Sequence, residues 1–565
     1  MCAATFGVGA CAALLIPGSG PAAPGHAGVV LADGRNEENC ACNQHLAAAV
    51  TAAPWPDATG FYQLAAADPR RMAVIGPDGT AVTIGELGER VNRLSRALST
   101  QGLAPGDVIA AIVHNGPEYL ELLLAAGQAG IIVVPVNWHL AARELLYIVA
   151  DSAAKLVVAA ADQARELPAA QLPPDRYVIG GAVPGWRPYP DLGAAEPSAP
   201  PAGRRAGGMM LYTSGTTGQP KGVRNTIPDV SPETTAGMFA RIPAGYGISS
   251  PSGVHLVCSP LYHAAPGGHA LGFLHAGHTI VIQARFEPEA LLAAIERYQV
   301  TTVHLVPTHF HRLLRLPAEV RSRYDLSSLQ AVIHAGAPCP VPIKQQMLDW
   351  LGPIVWEYLG STEGSVSRVS PQEWLARPGT VGRPLPGLTV RILDTLGAEM
   401  PPGEPGTIYF GYPGRAPTFE YHHDPEKTGA GRRGNLVTAG DYGYFDADGY
   451  LFLLDRRTDL IISGGVNIYP AEIEQRLITH PAVLDVAVIG VPDSEWGQRV
   501  VAVIQPAPGV TCDDELAAEL IEHCRRELAS FKCPRQVEFV SDFPRTETGK
   551  VQRRVLRDAF ASVEG

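Results

Sequence analysis

No block of lysine and arginine stands out in this sequence, and no window holds the ~18 uninterrupted apolar residues that a membrane-spanning helix needs. Lys+Arg total 44 against Asp+Glu 56, a formal charge of −12. That balance argues against binding nucleic acid by neutralising its phosphates. Cysteine is sparse and odd in number, nine scattered residues that do not make a disulfide framework. Cys40-Ala41-Cys42 has no second Cys/His pair at a zinc-site spacing, so free thiols in a reducing, cytoplasmic compartment are expected. Charged residues make up 18% and hydrophobic ones 46% of 565 residues, the balance of a soluble globular chain. At roughly 150 residues per unit the length suggests three to four folding units, ample for a core that needs no staple.

Residues 1–53 differ from the rest. They are rich in Ala, Gly and Pro, and the first basic residue is Arg35. Ala12 to Ile16 is a short apolar run, but no Lys or Arg precedes it as in a secretory signal, so a disordered leader or an over-long start is expected. From Asp57 onward the text is periodic. Thr83 to Ser99 places apolar residues at helical spacing, with Thr83 as N-cap and Glu86 three residues later. Val108 to Val113 and Ile131 to Val136 read as buried strands around a helix from Glu118 to Gly127, the order of parallel βαβ units. The pattern returns at Thr279 to Ile282, Pro288 to Tyr298, Thr302 to Val306 and Ala331 to His334. Between Gly382 and Gly414, Pro and Gly become frequent and the strands Leu388 to Leu393 and Gly406 to Phe410 look antiparallel. A charged cluster at Asp455 to Asp459 then precedes a smaller α+β segment with a helix from Pro470, strands at Val483 to Val491 and Val500 to Gln505, and a helix from Asp514. The expected architecture is α/β. A large N-terminal domain (54–455) of stacked layers carries a β-barrel-like subdomain, and a small mobile α+β C-terminal domain (456–565) follows.

The most informative stretch is Tyr212 to Gly222 (YTSGTTGQPKG), which follows a short apolar strand. Gly215, Gly218 and Gly222 let the backbone turn its N–H groups toward an anion. Thr213, Ser214, Thr216 and Thr217 add hydroxyls, and Lys221 adds a point charge suited to polyphosphate. The loop is not the P-loop of the NTPases, because Pro220 precedes Lys221 and Gly222 follows it. Composition alone leaves a Ser/Thr/Gly-rich surface turn open.

This run resembles the signature loop of the adenylate-forming enzymes: acyl-CoA synthetases, peptide-synthetase adenylation domains and luciferases. Further stretches match in order, so the resemblance spans Asp57 to Ala561. Glu357 to Gly364 (EYLGSTEG) resembles the family's aromatic-Gly-x-Thr-Glu motif, which implies that Glu363 and Thr213 hold Mg²⁺ and that Leu359, Gly360, Ser361 and Thr362 border the nucleotide. Leu359 departs from the tyrosine common there; Leu covers a base face by apolar contact only. His334 to Pro338 resembles the loop that packs the adenine, which implies roles for Gly336, Ala337 and Pro338. Val437 to Asp441 resembles the motif whose Asp accepts from both ribose hydroxyls, here Asp441, and Arg456 matches a nucleotide-contacting arginine. Thr458 stands where the family usually places a Lys or Asp hinge. Ser463, Gly464 and Gly465 resemble the loop that walls the pantetheine tunnel, and Pro544 to Lys550 resembles the motif whose lysine, Lys550, reaches the adenylation site.

The resemblance implies ATP, Mg²⁺ and coenzyme A. A carboxylic acid would attack the α-phosphate of ATP, and the acyl-AMP would then pass to a thiol; a carrier protein or another nucleophile is the alternative acceptor. Pro260 to Pro266 (PLYHAAP) resembles the mouth of the acyl pocket, with His263 beside the carboxylate. The small residues Gly267, Gly268, Gly272 and Ala276 leave room for a chain, so a fatty or other hydrophobic acid is expected first and an aryl acid second. No nucleic-acid partner and no membrane span are expected. His309-Phe310-His311 lies in a Leu-rich helical stretch and is assigned to packing or surface rather than to a metal.

Overall fold

The computed structural model describes residues 60–213, 220–456, 459–463, 466–493, 496–545 and 551–561. The leader 1–53 therefore lies outside the described residues.

Helix α1 (Ile84–Thr100) opens on the expected capping box: the Thr83 hydroxyl accepts from the Glu86 N–H, and the Glu86 carboxylate accepts from the Thr83 N–H. Its face of Leu87, Val91, Leu94 and Leu98 is buried against α2 (Pro117–Ala129). Gly130 ends α2 in the left-handed region, where a Cβ would be strained.

An eight-stranded sheet runs in the order 419–421, β2 (Lys221–Asn225), β1 (Gly208–Thr213), 132–135, 108–112, 156–160, 175–179 and 187–188. Its centre is parallel, and every residue of Val108–Ile112 and Leu156–Ala160 is buried, as strands covered on both faces must be. A second, larger sheet carries the parallel run 72–75, 279–282, 254–257, 302–305, β3 (Ala331–His334) and β4 (Val355–Ser361). Strand β5 (Gly364–Val369) turns back antiparallel from β4. Further antiparallel strands continue that ladder, including the expected pair Thr389–Leu393 and Gly406–Gly411. Between the two sheets lie α1, α2 and α3 (Ala264–His275), which with Ile109, Val133, Val257 and Ile333 form one shared core.

The C-terminal domain is built on β7 (Val483–Asp493), β8 (Gly497–Pro506) and β9 (Gln536–Phe539). Along β7, Val486 and Val488 pack with helix residues Ile473, Leu477, Leu516 and Leu520. Ala487, Ile489 and Val491 face the other way, onto Phe543 and Leu556 of the last helix (Arg553–Ala561). The period-two alternation of the strand thus serves two helical layers. No described helix is long and apolar enough to cross a membrane.

Candidate active site

Parallel strands deliver their loops to one edge of a sheet, and the crevice outside their carboxyl ends is where such folds hold ligands. Here β3 ends at His334, and Gly336, at φ +91°, turns the chain across the strand end. A cleft is lined there by Gly336, Ala337 and Pro338, by Leu359 and Gly360 of β4, and by Asp441. Two residues of the C-terminal segment, Asp459 and Arg553, close its far side. Asp441 is itself buried and stands opposite Arg456 in an antiparallel pair. The structure therefore gathers six of the residues singled out in the sequence into one crevice. Leu359 is also part of a hydrophobic cluster with Val381 and Phe410, so its side chain answers to the core as well as to the cleft.

A second group collects at the end of the β1–β2 hairpin. Thr213 pairs with Lys221 across it, and the Thr213 hydroxyl lies 3.5 Å from the Lys221 carbonyl. The tip of the hairpin, Ser214 to Gly218 (Ser214, Gly215, Thr216, Thr217 and Gly218), lies outside the described residues. Lys221 is not a lone cation: its Nζ is ion-paired with Asp424, which also caps the helix Pro425–Ala430 by accepting from the Lys427 N–H. Strand β6 (Phe419–Tyr421) is paired with β2, and the Tyr421 hydroxyl donates to Glu363 Oε1 at 2.7 Å. Lys427 covers the Tyr421 ring at 4.0 Å. Burial lowers the Lys427 pKa, and the neighbouring Glu363 carboxylate opposes that shift. Sequence reading missed Tyr421, Asp424 and Lys427; Asp424-Pro425 marks a helix start, but nothing local announces the partners of its side chain.

His263 occupies the N-cap position of α3. It is part-buried, its Nε2 is enclosed without a partner, and burial together with the nearby His139 pushes its pKa down to about 4. It is thus a neutral imidazole at pH 7. The loop that presents it is pinned by Asn115, whose Nδ2 donates to the carbonyls of Ser259 and Gln283 and whose Oδ1 accepts from the Leu261 N–H. Asn115 was not singled out in the sequence. Farther along α3, His269 Nδ1 donates to the Ala265 carbonyl at 2.8 Å, which leaves Nε2 to accept from the Tyr246 hydroxyl at 3.0 Å. The His304 ring packs 4.8 Å from His269, and its Nε2 meets the Tyr358 hydroxyl at 3.3 Å. Tyr358, one residue before Leu359, lines the cleft. The rings of Tyr246, His269, His304 and Tyr358 thus form one cluster against α3.

The remaining candidates are spread out. The Ser361 hydroxyl is buried without a partner beside Thr362 in the β4–β5 turn. Ser463 is buried at the end of one strand of a hairpin (Ile461–Ser463 with Val466–Ile468), whose tip, Gly464 and Gly465, lies outside the described residues. So do Thr458, Lys550 and the side chain of Arg456. The His309 and His311 assignments divide: His309 stacks on Phe286 at 3.8 Å in the core, whereas His311 reaches the C-terminal domain.

Residues 61–419 match the family model of the AMP-binding enzymes, and residues 472–550 match the AMP-binding enzyme C-terminal domain. The chain belongs to the AMP-binding enzyme family. It is 36% identical to a feruloyl-CoA synthase of Amycolatopsis sp over 492 residues, 85% of this chain and 94% of that one. It is 32% identical to the fatty acid–[acyl-carrier-protein] ligase ScoC of Streptomyces coeruleorubidus over 501 residues, 86% of this chain and 92% of the other. Among solved structures, ATP-bound MatB from Rhodopseudomonas palustris superposes with a TM-score of 0.77 at 30% identity, covering 90% of this chain and 99% of that one. An anthranilate CoA ligase, AuaEII, in complex with anthranoyl-AMP gives 0.78 at 25% identity, covering 89% and 98%. This AMP-binding enzyme is an acid–thiol ligase, activating a carboxylic acid with ATP and forming a thioester with coenzyme A.

Proposed function

We propose that the ligase converts an aryl carboxylic acid to its coenzyme A thioester in the cytoplasm, with ATP in the β3–β4 cleft and the acid between His263 and the ring cluster. The observation that carries the nucleotide assignment is the convergence of Gly336 to Pro338, Leu359, Gly360 and Asp441 on one crevice. Leu359, Ala337 and Pro338 offer apolar surface to the adenine, and the Asp441 carboxylate suits a ribose diol. The hairpin loop Ser214 to Gly218, with Thr213 and Lys221, would take the phosphates.

In the first half-reaction a carboxylate oxygen attacks the α-phosphate, an O–P bond forms and pyrophosphate leaves. Nε2 of the neutral His263 ring, which has no partner in the protein, is placed to hydrogen-bond that carboxylate without adding charge. Lys550 is assigned to offset the negative charge that gathers on the phosphorus oxygens. The hydroxyl of Thr213 and the carboxylate of Glu363 are hard oxygen donors, and with Oε1 of Glu363 held by Tyr421, Oε2 is left for a cation; this set fits Mg²⁺. When bound there, Mg²⁺ supplies neutralisation of phosphate charge. In the second half-reaction the C-terminal domain turns at Thr458 and Asp459, withdrawing Lys550 and bringing Ser463, Gly464 and Gly465 to the thiol path. The thiolate attacks the acyl carbon and AMP departs.

Sequence reading placed hydrophobic acids first and aryl acids second; what supports the aryl reading is the cluster of rings from Tyr246, His269, His304 and Tyr358. A long alkyl chain needs an open tunnel, whereas a planar acid stacks on such rings and finds imidazole and phenol groups for a ring substituent. The similarity to feruloyl-CoA synthases agrees with this. Pyrophosphate release with ferulate, 3-hydroxybenzoate, octanoate and palmitate, in the presence of coenzyme A or a phosphopantetheinyl carrier, tests it. Aryl acids with coenzyme A are expected to turn over fastest; preference for palmitate would overturn the acid class. Lys550→Ala is expected to lose pyrophosphate release yet retain thioester formation from supplied acyl-AMP, and equal loss of both would overturn the two-orientation scheme.

A further inference from the structure

Helix α4 (Pro307–Leu314) belongs to the N-terminal domain, and its inward side is core: Phe310 is fully buried and His309 lies against Phe286. Its outward side ends on the C-terminal domain. His311 Nε2 lies 2.5 Å from the carbonyl oxygen of Leu484, and Arg315 Nη2 donates to the same oxygen at 2.8 Å and to that of Val483 at 3.2 Å. Two side chains one helical turn apart thus converge on one backbone acceptor.

That acceptor is available for a structural reason. Strand β7 is an edge strand, and its register with β8 passes from Val483↔Pro506 to Asp485↔Gln505, which makes Leu484 a bulged residue with no partner in the ladder. A bulge turns a carbonyl out of the sheet. The next residue, Asp485, is ion-paired with Arg545. Arg545 forms an isolated antiparallel bridge with Val551; residues 546–550 between them, Lys550 included, lie outside the described residues. A short chain of contacts therefore runs from α4 through Leu484, Asp485 and Arg545 to Val551, one residue beyond Lys550 in sequence.

We infer that His311 and Arg315 are positioning residues that latch the C-terminal domain, through the bulged carbonyl of Leu484, in the described orientation, where Asp459 and Arg553 line the cleft with Asp441, that this orientation serves adenylation, and that the latch must open before thioester formation. The inference rests on the two-orientation scheme proposed above. A latch of side chains on main-chain oxygens suits an alternating domain, because it holds by direction and distance; the Asp485 carboxylate, itself ion-paired with Arg545, adds electrostatic attraction for Arg315 and His311.

The experiment uses the full chain, the aryl acid with the highest turnover in the panel and its synthetic adenylate. Arg315→Ala and His311→Ala are each compared with the unmodified protein in acid-dependent ATP–pyrophosphate exchange and in thioester formation from the adenylate. Loss of a charge-assisted hydrogen bond predicts about a tenfold fall in exchange for Arg315→Ala, with thioester formation unchanged or faster. Arg315→Lys, which keeps a donor, should recover part of the exchange. Equal loss of both half-reactions, or no change in either, would overturn the latch. Should an alanine variant fail to fold, Arg315→Lys and His311→Gln read the same ratio. Lys550→Ala run alongside separates the two levels: if it splits the half-reactions and the α4 variants do not, only the latch falls; if it fails to split them, the scheme beneath falls too.

Discussion

Nζ of Lys344 lies 2.5 Å from Oε2 of Glu357, both residues are buried where Glu357 borders the β3–β4 cleft, and the Lys344 ammonium is 4.8 Å from the Trp374 ring centre. Burial raises the Glu357 pKa, and the ammonium opposes that shift. Breaking a buried pair on one side strands the other charge. Lys344→Met is therefore expected to cost about 3–5 kcal/mol of unfolding free energy, measured by urea denaturation. A carboxyl whose folded pKa lies above its unfolded value binds more protons in the native state, so stability falls as pH rises through that interval. In the variant this decline with rising pH should be steeper and extend higher.

The buried histidines set an opposite dependence. Burial depresses the folded pKa to about 4 for His263, His269 and His278, and to about 3 for His275 and His309. Between those values and the ordinary value of about 6.5 the unfolded chain binds more protons than the native one, so stability rises with pH across this window. Each such imidazole contributes up to ~1.4 kcal/mol per pH unit there. The thermal midpoint should fall steadily from pH 6.5 to pH 4, and a flat profile would contradict the burial of these rings.

The Tyr421 hydroxyl on Glu363 orients the carboxylate assigned to the cation. Tyr421→Phe should raise the Mg²⁺ concentration for half-maximal pyrophosphate release by about three- to tenfold, while saturating Mg²⁺ restores most of the rate. Glu363→Gln should not be restored. Titration of both variants with Mg²⁺ checks the distinction.

Enlarging the acyl site should change the choice of acid. Tyr358→Ala removes a ring that borders the cleft and contacts both His269 and His304. The ratio of kcat/KM for octanoate over ferulate is expected to rise about tenfold or more, since each accommodated methylene is worth ~1–3 kcal/mol. Steady-state kinetics with both acids reads this directly.

Local signals in the sequence carried the fold well. Thr83 with Glu86 announced a helix start that the structure repeats atom for atom, and the apolar runs at Thr279 and Ala331 are buried parallel strands. Motif resemblance located Asp441 and Gly336, which lie more than a hundred residues apart in sequence yet line one crevice. What was not legible depends on chain segments that meet only in three dimensions. Asp424 reaches Lys221 across |i−j| of 203, and Asn115 pins the His263 loop across |i−j| of 146. Glycines along α3 gave no hint of the ring cluster that Tyr246 and Tyr358 complete with His269 from other elements. Helical periodicity separated the faces of His309 and His311 in principle, yet gave no hint of which distant carbonyl awaits the second.

Strand β6 is only three residues long, and it stands between the hairpin that bears the hydroxyl-rich loop and the turn that bears Glu363. Its register, Tyr421 against Val223, fixes the spacing of the two. Because neighbouring residues of a strand point to opposite faces, a slip of a single position would carry Tyr421 away from Glu363 and drag Asp424 out of reach of Lys221. The small strand thus acts as a gauge block for the enzyme, and a one-residue deletion within it should misalign acid and lysine together while leaving both major sheets intact.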